Sequence, residues 1–201
     1  MSYRDQSLGG FLSNIASTEV TPAGGTSAAV IGATGASLCE MVCLHTIGKQ
    51  EAADVDRELA DIRDDLRTQR NQLLDLADTD AEVVDKLIAT SEENQSTMKR
   101  ATGVPLAVAE ACLNIIDHGP TVTERGNQNA IPDAGAGVFF AQSALQASIF
   151  IVRSNLEQIT DQSFVDEVEL RTTEIERAAE QSYEQVILNL GRTSDHSPCR
   201  S

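Results

Sequence analysis

Two aspartates, Asp80 and Asp133, come at the predicted starts of helices, where a carboxylate can do proton-transfer chemistry. Such a side chain can accept a proton from a reacting group, or return one, in front of the helix. It can equally be only the N-cap of its helix, because Asp is among the residues that cap helices best. The sequence leaves both interpretations open for both residues.

A turn at residues 22–26 precedes the most apolar stretch of the chain. Gly24 and Gly25 expose backbone N–H groups at a helix start, and such N–H groups can bind an anion. The two glycines can also serve the turn alone. Pro22 marks the turn, and Thr26 or Ser27 is the predicted cap of the helix that follows.

Other candidate side chains lie further along the chain. Lys49 ends the apolar helix, where it can hold an anionic group, act as an acid if burial lowers its pKa, or only complement the helix C-terminus. Asn127 and Asn129, in the polar loop 126–132, can hydrogen-bond a ligand, although loop asparagines are common without one. His45 and His118 are further acid–base candidates, with core or surface histidines as the alternative.

Apolar side chains recur with helical spacing almost throughout, and no stretch alternates with period two. Residues 1–201 are therefore predicted to form one all-α domain, a compact antiparallel bundle of six to seven helices, with a frayed tail at 191–201. Residues 91–102 fit either a helix or a loop, and breaks or kinks are expected near Pro105 and Pro120. The predicted helices are 5–17, 27–47, 50–77, one begun by a Thr79–Glu82 capping box, 106–117, 133–158 and 162–190.

The formal net charge is −16, from 31 acidic and 15 basic residues spread along the chain. This distribution is typical of a solvated acidic surface and favours a salt-adapted organism over an ordinary acidic cytosolic protein. Nucleic acid is excluded as a partner, because phosphate binding needs a basic surface. The start of the chain does not resemble a signal peptide, so a cytoplasmic protein is expected.

The apolar stretch at 27–47 is long enough for a membrane span. Glu40, His45 and many small residues favour a buried central helix instead, and no membrane partner is expected. Gly32 and Gly35 would let neighbouring helices approach closely there. Cys39 and Cys43 share one face of this helix and are read as buried hydrophobic residues in preference to a metal pair, so no metal is predicted.

Two segments together resemble a known family. Residues 21–49 resemble a Pro-Gly-Gly-Gly turn that opens an Ala-rich helix ending in Gly-Lys, and residues 126–135 resemble a Gly-Asn-x-Asn-Ala-x-Ser-Asp-Ala-Gly motif. The segments around Asp80, Pro105 and Asn155 extend the similarity over roughly residues 8–160. The family is that of formiminotetrahydrofolate cyclodeaminase and methenyltetrahydrofolate cyclohydrolase. Ala23 replaces its usual first Gly, and Pro132 its usual Ser.

The resemblance implies an all-helical homodimer with a folate substrate bound near these loops. It implies hydrolysis of 5,10-methenyltetrahydrofolate to 10-formyltetrahydrofolate, with cyclodeaminase activity as the alternative and a non-catalytic scaffold as a third hypothesis. The sequence carries no formiminotransferase portion, which favours the cyclohydrolase. Asp80, Asp133 and Lys49 are then the catalytic candidates, with Asp80 and Asp133 flanking one reacting carbon. Pro22, Gly24, Gly25, Thr26, Asn127 and Asn129 are the substrate-binding candidates, and no cofactor is expected.

Overall fold

The computed structural model describes residues 2–48, 53–89 and 95–194. These ranges contain no β-strand, which confirms the all-α prediction. Six α-helices follow one another: α1 (Leu8–Ile15), α2 (Gly24–Thr46), α3 (Ala53–Ala89), α4 (Gln95–Arg125), α5 (Ile131–Leu156) and α6 (Gln162–Ser194). Short 3-10 turns at Tyr3–Asp5 and Gln128–Ala130 precede α1 and α5.

Contacts along the helices show that α3, α4 and α5 each run antiparallel to the helix before. Gly25 lies against Asp80 at one end of α2, whereas Gly48 donates its N–H to Asp56 at the other. The end of α5 returns to the start of α4, where Asn155 Nδ2 donates to the Ala101 carbonyl. The antiparallel bundle predicted from the sequence is therefore confirmed.

Helix α2 is the central helix, and small residues let its neighbours approach. A Cβ on Gly32 would lie 2.8 Å from Cys112 Sγ, and one on Gly137 of α5 would lie 2.8 Å from Cys39 Sγ. This close approach offsets the roughly 1 kcal/mol that each glycine costs inside a helix. Cys39, Cys43 and Cys112 are buried free thiols in the main core, as the apolar interpretation predicted.

Two stretches have the length and composition of a membrane span: α2 and residues 128–156, which include α5. Within the fold they are the core helices, with 56 % and 50 % of their most apolar windows buried. The prediction of a buried central helix is correct for one side of α2. Its other side, together with one side of α5, faces outward.

The prediction that a helix ends at 77 and another begins at the Thr79–Glu82 capping box is wrong. Helix α3 runs without interruption from Ala53 to Ala89. Thr79 Oγ1 donates to the Asp75 carbonyl inside the helix, and the adjacent Asp80 is buried against α2. Tertiary contacts, which a local capping pattern does not reveal, keep this segment helical.

Three other boundary predictions also need correction. Helix α4 continues through Pro105 and Pro120, so neither proline ends it. Ala23 is the N-cap of α2 and has no side-chain cap bond, because Thr26 turns inward and Ser27 Oγ donates to the Ala23 carbonyl. The predicted frayed tail begins inside α6, and its residues 195–201 lie outside the described ranges.

Glu40 is a buried charge in α2 that is 4 % exposed. Its two oxygens accept hydrogen bonds from Arg67 Nε at 2.9 Å and from Arg70 Nη1 at 2.6 Å, both on α3. Because Glu40 itself is buried, removing both arginines would leave its charge without a partner, which is strongly destabilising. This ion pair fixes the register of α2 against α3, and thereby the position of Asp80 at their end.

Candidate active site

Asp80 lies where α3 passes the first turn of α2. The carboxyl group is 6 % exposed, and its Oδ2 accepts a hydrogen bond from Thr26 Oγ1 at 2.8 Å. The Thr26 backbone N–H donates to the same carboxyl group. Gly25, Thr26 and Asp80, together with Tyr3 and Thr21 beside them, are called the Asp80 corner below.

Burial raises the pKa of the Asp80 carboxyl above its ordinary value, and the two hydrogen bonds from Thr26 oppose this shift. Desolvation penalises the charged form, whereas donors that point at the carboxylate favour it. A carboxyl group with a raised pKa is a stronger base than a solvated one. The first turn of α2 therefore packs against a carboxyl group of raised basicity on α3.

The two glycines of the turn have different environments. Gly24 is exposed, and a Cβ there would lie 3.5 Å from Ile151 Cδ1, an ordinary contact. Gly25 is buried, and a Cβ there would lie 2.8 Å from Asp80 Cγ, closer than packed atoms come. Gly25 thus makes room for the carboxyl group, while Gly24 leaves the backbone open to solvent.

Pro22 and Ala23 complete the turn. Pro22 is buried and follows a cis peptide bond from Thr21. Ala23 has φ −113°, which any L-residue adopts readily, so this position does not require the glycine that the family motif has.

An acidic cleft of 280 Å³ adjoins the Asp80 corner. Tyr3, Thr21 and three carboxylates contribute to its lining: Asp78, Glu82 and Asp85. Thr21 Oγ1 donates to Asp85 Oδ1 at 3.0 Å, and Ser2 Oγ donates to Asp78 Oδ2 at 2.5 Å. The excess of carboxylates favours a cationic group in this cleft.

Sequence reasoning missed the part that Tyr3 plays in this cleft. The Tyr3 N–H donates to Asp78 Oδ1 at 2.7 Å, and its ring packs edge-on against Phe11 at 5.6 Å. Burial raises the pKa of the Tyr3 hydroxyl, and the charges of Asp85, Asp78 and Asp80 raise it further. No local pattern signals this placement, because Tyr3 and Asp78 are 75 residues apart in the sequence.

The Asn127 corner, formed by Thr46, Asn127, Asn129 and Asp133, lies at the opposite end of α2. The Asn127 N–H donates to Thr46 Oγ1 at 2.8 Å, and Asn127 Oδ1 accepts from the Asn129 N–H at 3.0 Å. Asn129 and Asp133 are exposed, and Asp133 lies in the first turn of α5 without being its N-cap. Their side chains therefore face solvent from a loop that Asn127 holds in place.

The structure does not bring Asp80 and Asp133 together within one chain. Thr26 and Thr46, which contact the two corners, are separated by 20 residues of continuous helix, or about 30 Å. One chain alone therefore cannot place both carboxylates beside one carbon atom. Asp80 and Asp133 also do not both begin helices, since Asp80 lies inside α3.

The remaining candidates lie apart from the Asp80 corner or outside the described residues. Lys49 belongs to the undescribed segment 49–52. His45 is exposed, and its carbonyl accepts from Asn127 Nδ2 at 3.4 Å. His118 lies on α4, with its Nε2 3.6 Å from Asp65 Oδ2 on α3, and burial lowers its pKa. Among the described residues, no three His, Cys, Asp or Glu side chains are grouped to hold a metal ion.

Comparison with known proteins identifies the fold and the family. The family model described as formiminotransferase-cyclodeaminase matches residues 7–174, which is most of the chain. The chain belongs to this family. The sequence-based identification is therefore confirmed, and the matched region includes both corners apart from Tyr3.

Individual relatives of the chain include both enzyme types. A methenyltetrahydrofolate cyclohydrolase of Methylorubrum extorquens is 35% identical over 171 residues, covering 78% of this chain and 82% of the relative. The mouse formimidoyltransferase-cyclodeaminase is 26% identical over 87% of this chain, which spans only 35% of that longer protein. The crystal structure of formiminotetrahydrofolate cyclodeaminase from Thermotoga maritima superposes with a TM-score of 0.90 at 28% identity, covering 94% of this chain and 97% of that one.

Proposed function

We propose that this protein hydrolyses 5,10-methenyltetrahydrofolate to 10-formyltetrahydrofolate. The observation that carries the proposal is the 35% identity to a methenyltetrahydrofolate cyclohydrolase over most of both chains. The buried carboxyl group of Asp80, beside an acidic cleft and under an open glycine turn, supplies the chemistry that this reaction needs. The methenyl group is cationic, so surrounding carboxylates stabilise its binding.

The proposed reaction assigns Asp80 two proton transfers. As water adds to the methenyl carbon, Asp80 accepts one of its protons, which leaves a neutral tetrahedral carbon bonded to two nitrogens and a hydroxyl group. Asp80 then returns the proton to the nitrogen at position 5 while its bond to carbon breaks. The hydroxyl proton leaves to solvent as the formyl C=O forms. Only water and proton transfer are required, so no cofactor is proposed.

The test is the near-ultraviolet absorbance of the methenyl substrate. We expect the wild-type protein to accelerate its loss well beyond the rate in buffer alone, with heat-denatured protein as the control. An unchanged rate in dilute and in molar KCl would contradict the proposal.

Cyclodeaminase activity is the second candidate, favoured by the 0.90 TM-score to a cyclodeaminase structure. That reaction closes 5-formiminotetrahydrofolate to the methenyl species and releases ammonia. The same corner would then protonate the departing nitrogen. Ammonia release from the formimino substrate, with methenyl absorbance rising instead of falling, would assign this activity.

The hydrogen bonds from Thr26 lower the pKa of Asp80, and this effect provides a second prediction. In Thr26→Val one hydrogen bond that lowers the Asp80 pKa is lost, so this pKa rises further above its ordinary value. The acid limb of the profile of kcat/KM against pH should therefore move to higher pH. Thr26→Ser keeps the hydroxyl and should restore the wild-type profile. If the limb stays in place in Thr26→Val, it reports a group other than Asp80.

We also propose that the protein acts as a cytoplasmic homodimer in a salt-rich cell, away from membranes. The buried, reduced thiols Cys39, Cys43 and Cys112 suit a reducing compartment. A chain with net charge −16 repels both itself and an anionic folate tail unless salt screens it.

The salt dependence of stability tests this adaptation. The melting temperature should rise between 0.1 M and 2 M KCl, most steeply below 1 M, because the Debye length falls from about 10 Å at 0.1 M to about 3 Å at 1 M. A rise that is only linear with salt would indicate solute exclusion instead of screening. A melting temperature that stays constant over this range would rule out salt adaptation.

A further inference from the structure

The first residues of the chain are fastened to α3, and residues 2–5 are called the N-terminal strap below. Ser2 Oγ donates to Asp78 Oδ2 at 2.5 Å, and the Tyr3 N–H donates to Asp78 Oδ1 at 2.7 Å. Arg4 Nη2 donates to Asp75 Oδ1 at 2.8 Å, about one turn earlier on α3. Three consecutive residues therefore hold the strap in place, and the strap precedes the region that the family model matches.

The strap places the Tyr3 side chain in the wall of the acidic cleft. The ring packs on the main core and edge-on against Phe11. The hydroxyl group lies beside Thr21, whose Oγ1 donates to Asp85 Oδ1 at 3.0 Å. Because Thr21 has one hydroxyl proton and donates it to Asp85, the Tyr3 hydroxyl meets Thr21 as a donor. The lone pairs of Tyr3 Oη then remain available to accept a hydrogen bond from a ligand.

The polar side chains of the cleft offer a ligand acceptors and not donors. Ser2 and Thr21 donate their hydroxyl protons to Asp78 and Asp85. Asp85 Oδ2 and Tyr3 Oη are among the acceptors that remain open within the described part of the chain. A ligand with neighbouring N–H groups complements them, because hydrogen bonds to a carboxylate are roughly twice as strong as those between neutral groups.

The pterin ring is the part of a tetrahydrofolate that fits this cleft. Its 2-amino group, N3–H and N8–H are hydrogen-bond donors, whereas the glutamate tail is anionic and is repelled by the three carboxylates. The cleft volume of 280 Å³ lies below the roughly 300–1,000 Å³ of pockets that enclose a whole small molecule. The cleft is therefore suited to one ring system of the substrate, and the remainder lies outside it.

The cleft also lies where the ring is needed if Asp80 acts on the one-carbon group. Ala81, which lines the cleft, directly follows Asp80 on α3. Burial and then the charges of Asp85, Asp78 and Asp80 raise the pKa of the Tyr3 hydroxyl, so Asp80 lies within electrostatic range of it. The one-carbon group is attached to N5 of the ring, and a ring held in the cleft brings N5 toward the Asp80 corner.

We propose that Tyr3 is a substrate-contacting residue, which together with Asp85 binds the N–H edge of the pterin ring and orients N5 toward Asp80. The proposal rests on the proposed folate function. Tyr3 Oη accepts one N–H of the ring, and Asp85 Oδ2 accepts another. Both contacts lie away from the reacting carbon, so they contribute to binding of the substrate and of the transition state alike, and their loss affects KM more than kcat.

Tyr3→Phe tests this contact, because it keeps the ring packed against Phe11 and removes only Oη. With the folate substrate that the wild-type protein uses, KM should rise about 2- to 12-fold, the effect of one hydrogen bond, at nearly unchanged kcat and melting temperature. Tyr183→Phe is the matched control, since the second tyrosine of the chain lies on α6 against Phe139. It should leave KM unchanged. An unchanged KM in Tyr3→Phe would mean that Tyr3 only packs, and the proposal would be wrong.

Fragments of the substrate locate the contact without any turnover. Equilibrium dialysis in molar KCl, under anaerobic conditions, gives the dissociation constants of 6-methyltetrahydropterin and of p-aminobenzoylglutamate. Tyr3→Phe and Asp85→Asn should each weaken binding of the pterin, Tyr3→Phe by the same factor as KM, and leave binding of p-aminobenzoylglutamate unchanged. A wild-type protein that does not bind the pterin would overturn the proposal. Weaker binding of p-aminobenzoylglutamate alone in Tyr3→Phe would overturn it as well.

Failure of the pterin contact and failure of the proposed function give different results. A wild-type protein that turns over neither folate substrate, yet binds 6-methyltetrahydropterin through Tyr3, would contradict the proposed function and support the pterin contact. Turnover of a folate substrate with the same KM and the same fragment affinities in Tyr3→Phe would contradict the contact and leave the proposed function intact.

Discussion

Asp80→Asn is expected to lower turnover of the methenyl substrate by about 10²–10⁴-fold, the usual loss when a general acid or base is removed. Asn keeps an oxygen that can accept the Thr26 hydrogen bonds, so α2 and α3 should stay packed. What the variant loses is the charge and the ability to take up a proton. Asp64→Asn, an exposed position on the same helix, is the matched control and should leave the rate unchanged.

The same variant should be more stable than the wild-type protein at pH values above the raised pKa of Asp80. Burial raises the pKa of Asp80, so the folded protein favours the protonated form. The stability contributed by this group is fully present below the ordinary carboxyl pKa and is lost as pH rises through the raised value. Asn stays neutral at every pH. Its melting temperature should exceed that of the wild-type protein above the raised pKa and match it in acid, and the opposite order would show that the ionised carboxylate stabilises the fold.

Gly25→Ala is expected to reduce both activity and stability, because its Cβ would lie 2.8 Å from Asp80 Cγ. Relieving such overpacking in a close-packed site typically costs about 1–3 kcal/mol. The displaced carboxyl group would also lose its alignment with Thr26. The rate should then fall at least about tenfold, because a catalytic group that is out of position reacts much more slowly. Gly24→Ala has room for its methyl group and should melt close to the wild-type temperature.

A double variant separates the steric effect from a general effect on the turn. If the clash with Asp80 causes the instability, Gly25→Ala should cost little stability in an Asp80→Ala background, where the carboxyl group is absent. Activity should remain low in both backgrounds. Equal destabilisation in the two backgrounds would mean that Gly25 is needed for the turn itself.

The sequence predicts much of this fold because its apolar residues recur with helical spacing. Helices α2, α5 and α6 were expected within a few residues of their observed bounds. The failures arise where tertiary contacts override local signals. The segment around Asp80 looks like a helix start, but burial against Gly25 and Thr26 keeps it inside α3.

The candidate site was predictable in part only. The glycine turn and Asp80 were both selected from sequence, and the structure places them in direct contact. Asp133 was selected with them but lies at the far end of α2. The sequence did not reveal this distance, because a motif does not indicate how far it lies from another motif in the folded chain. Tyr3 and Asp85 were not found, since their roles depend on an N-terminal segment that folds back onto α3 through Asp78. No sequence pattern specified that contact.

The reaction of this protein is assigned most directly by kcat/KM for the two folate substrates, determined on one preparation of the wild-type protein in molar KCl. We expect hydrolysis of 5,10-methenyltetrahydrofolate to exceed deamination of 5-formiminotetrahydrofolate, and the preferred reaction to be lost in Asp80→Asn. Deamination faster than hydrolysis, or hydrolysis that survives unchanged in Asp80→Asn, would contradict this expectation.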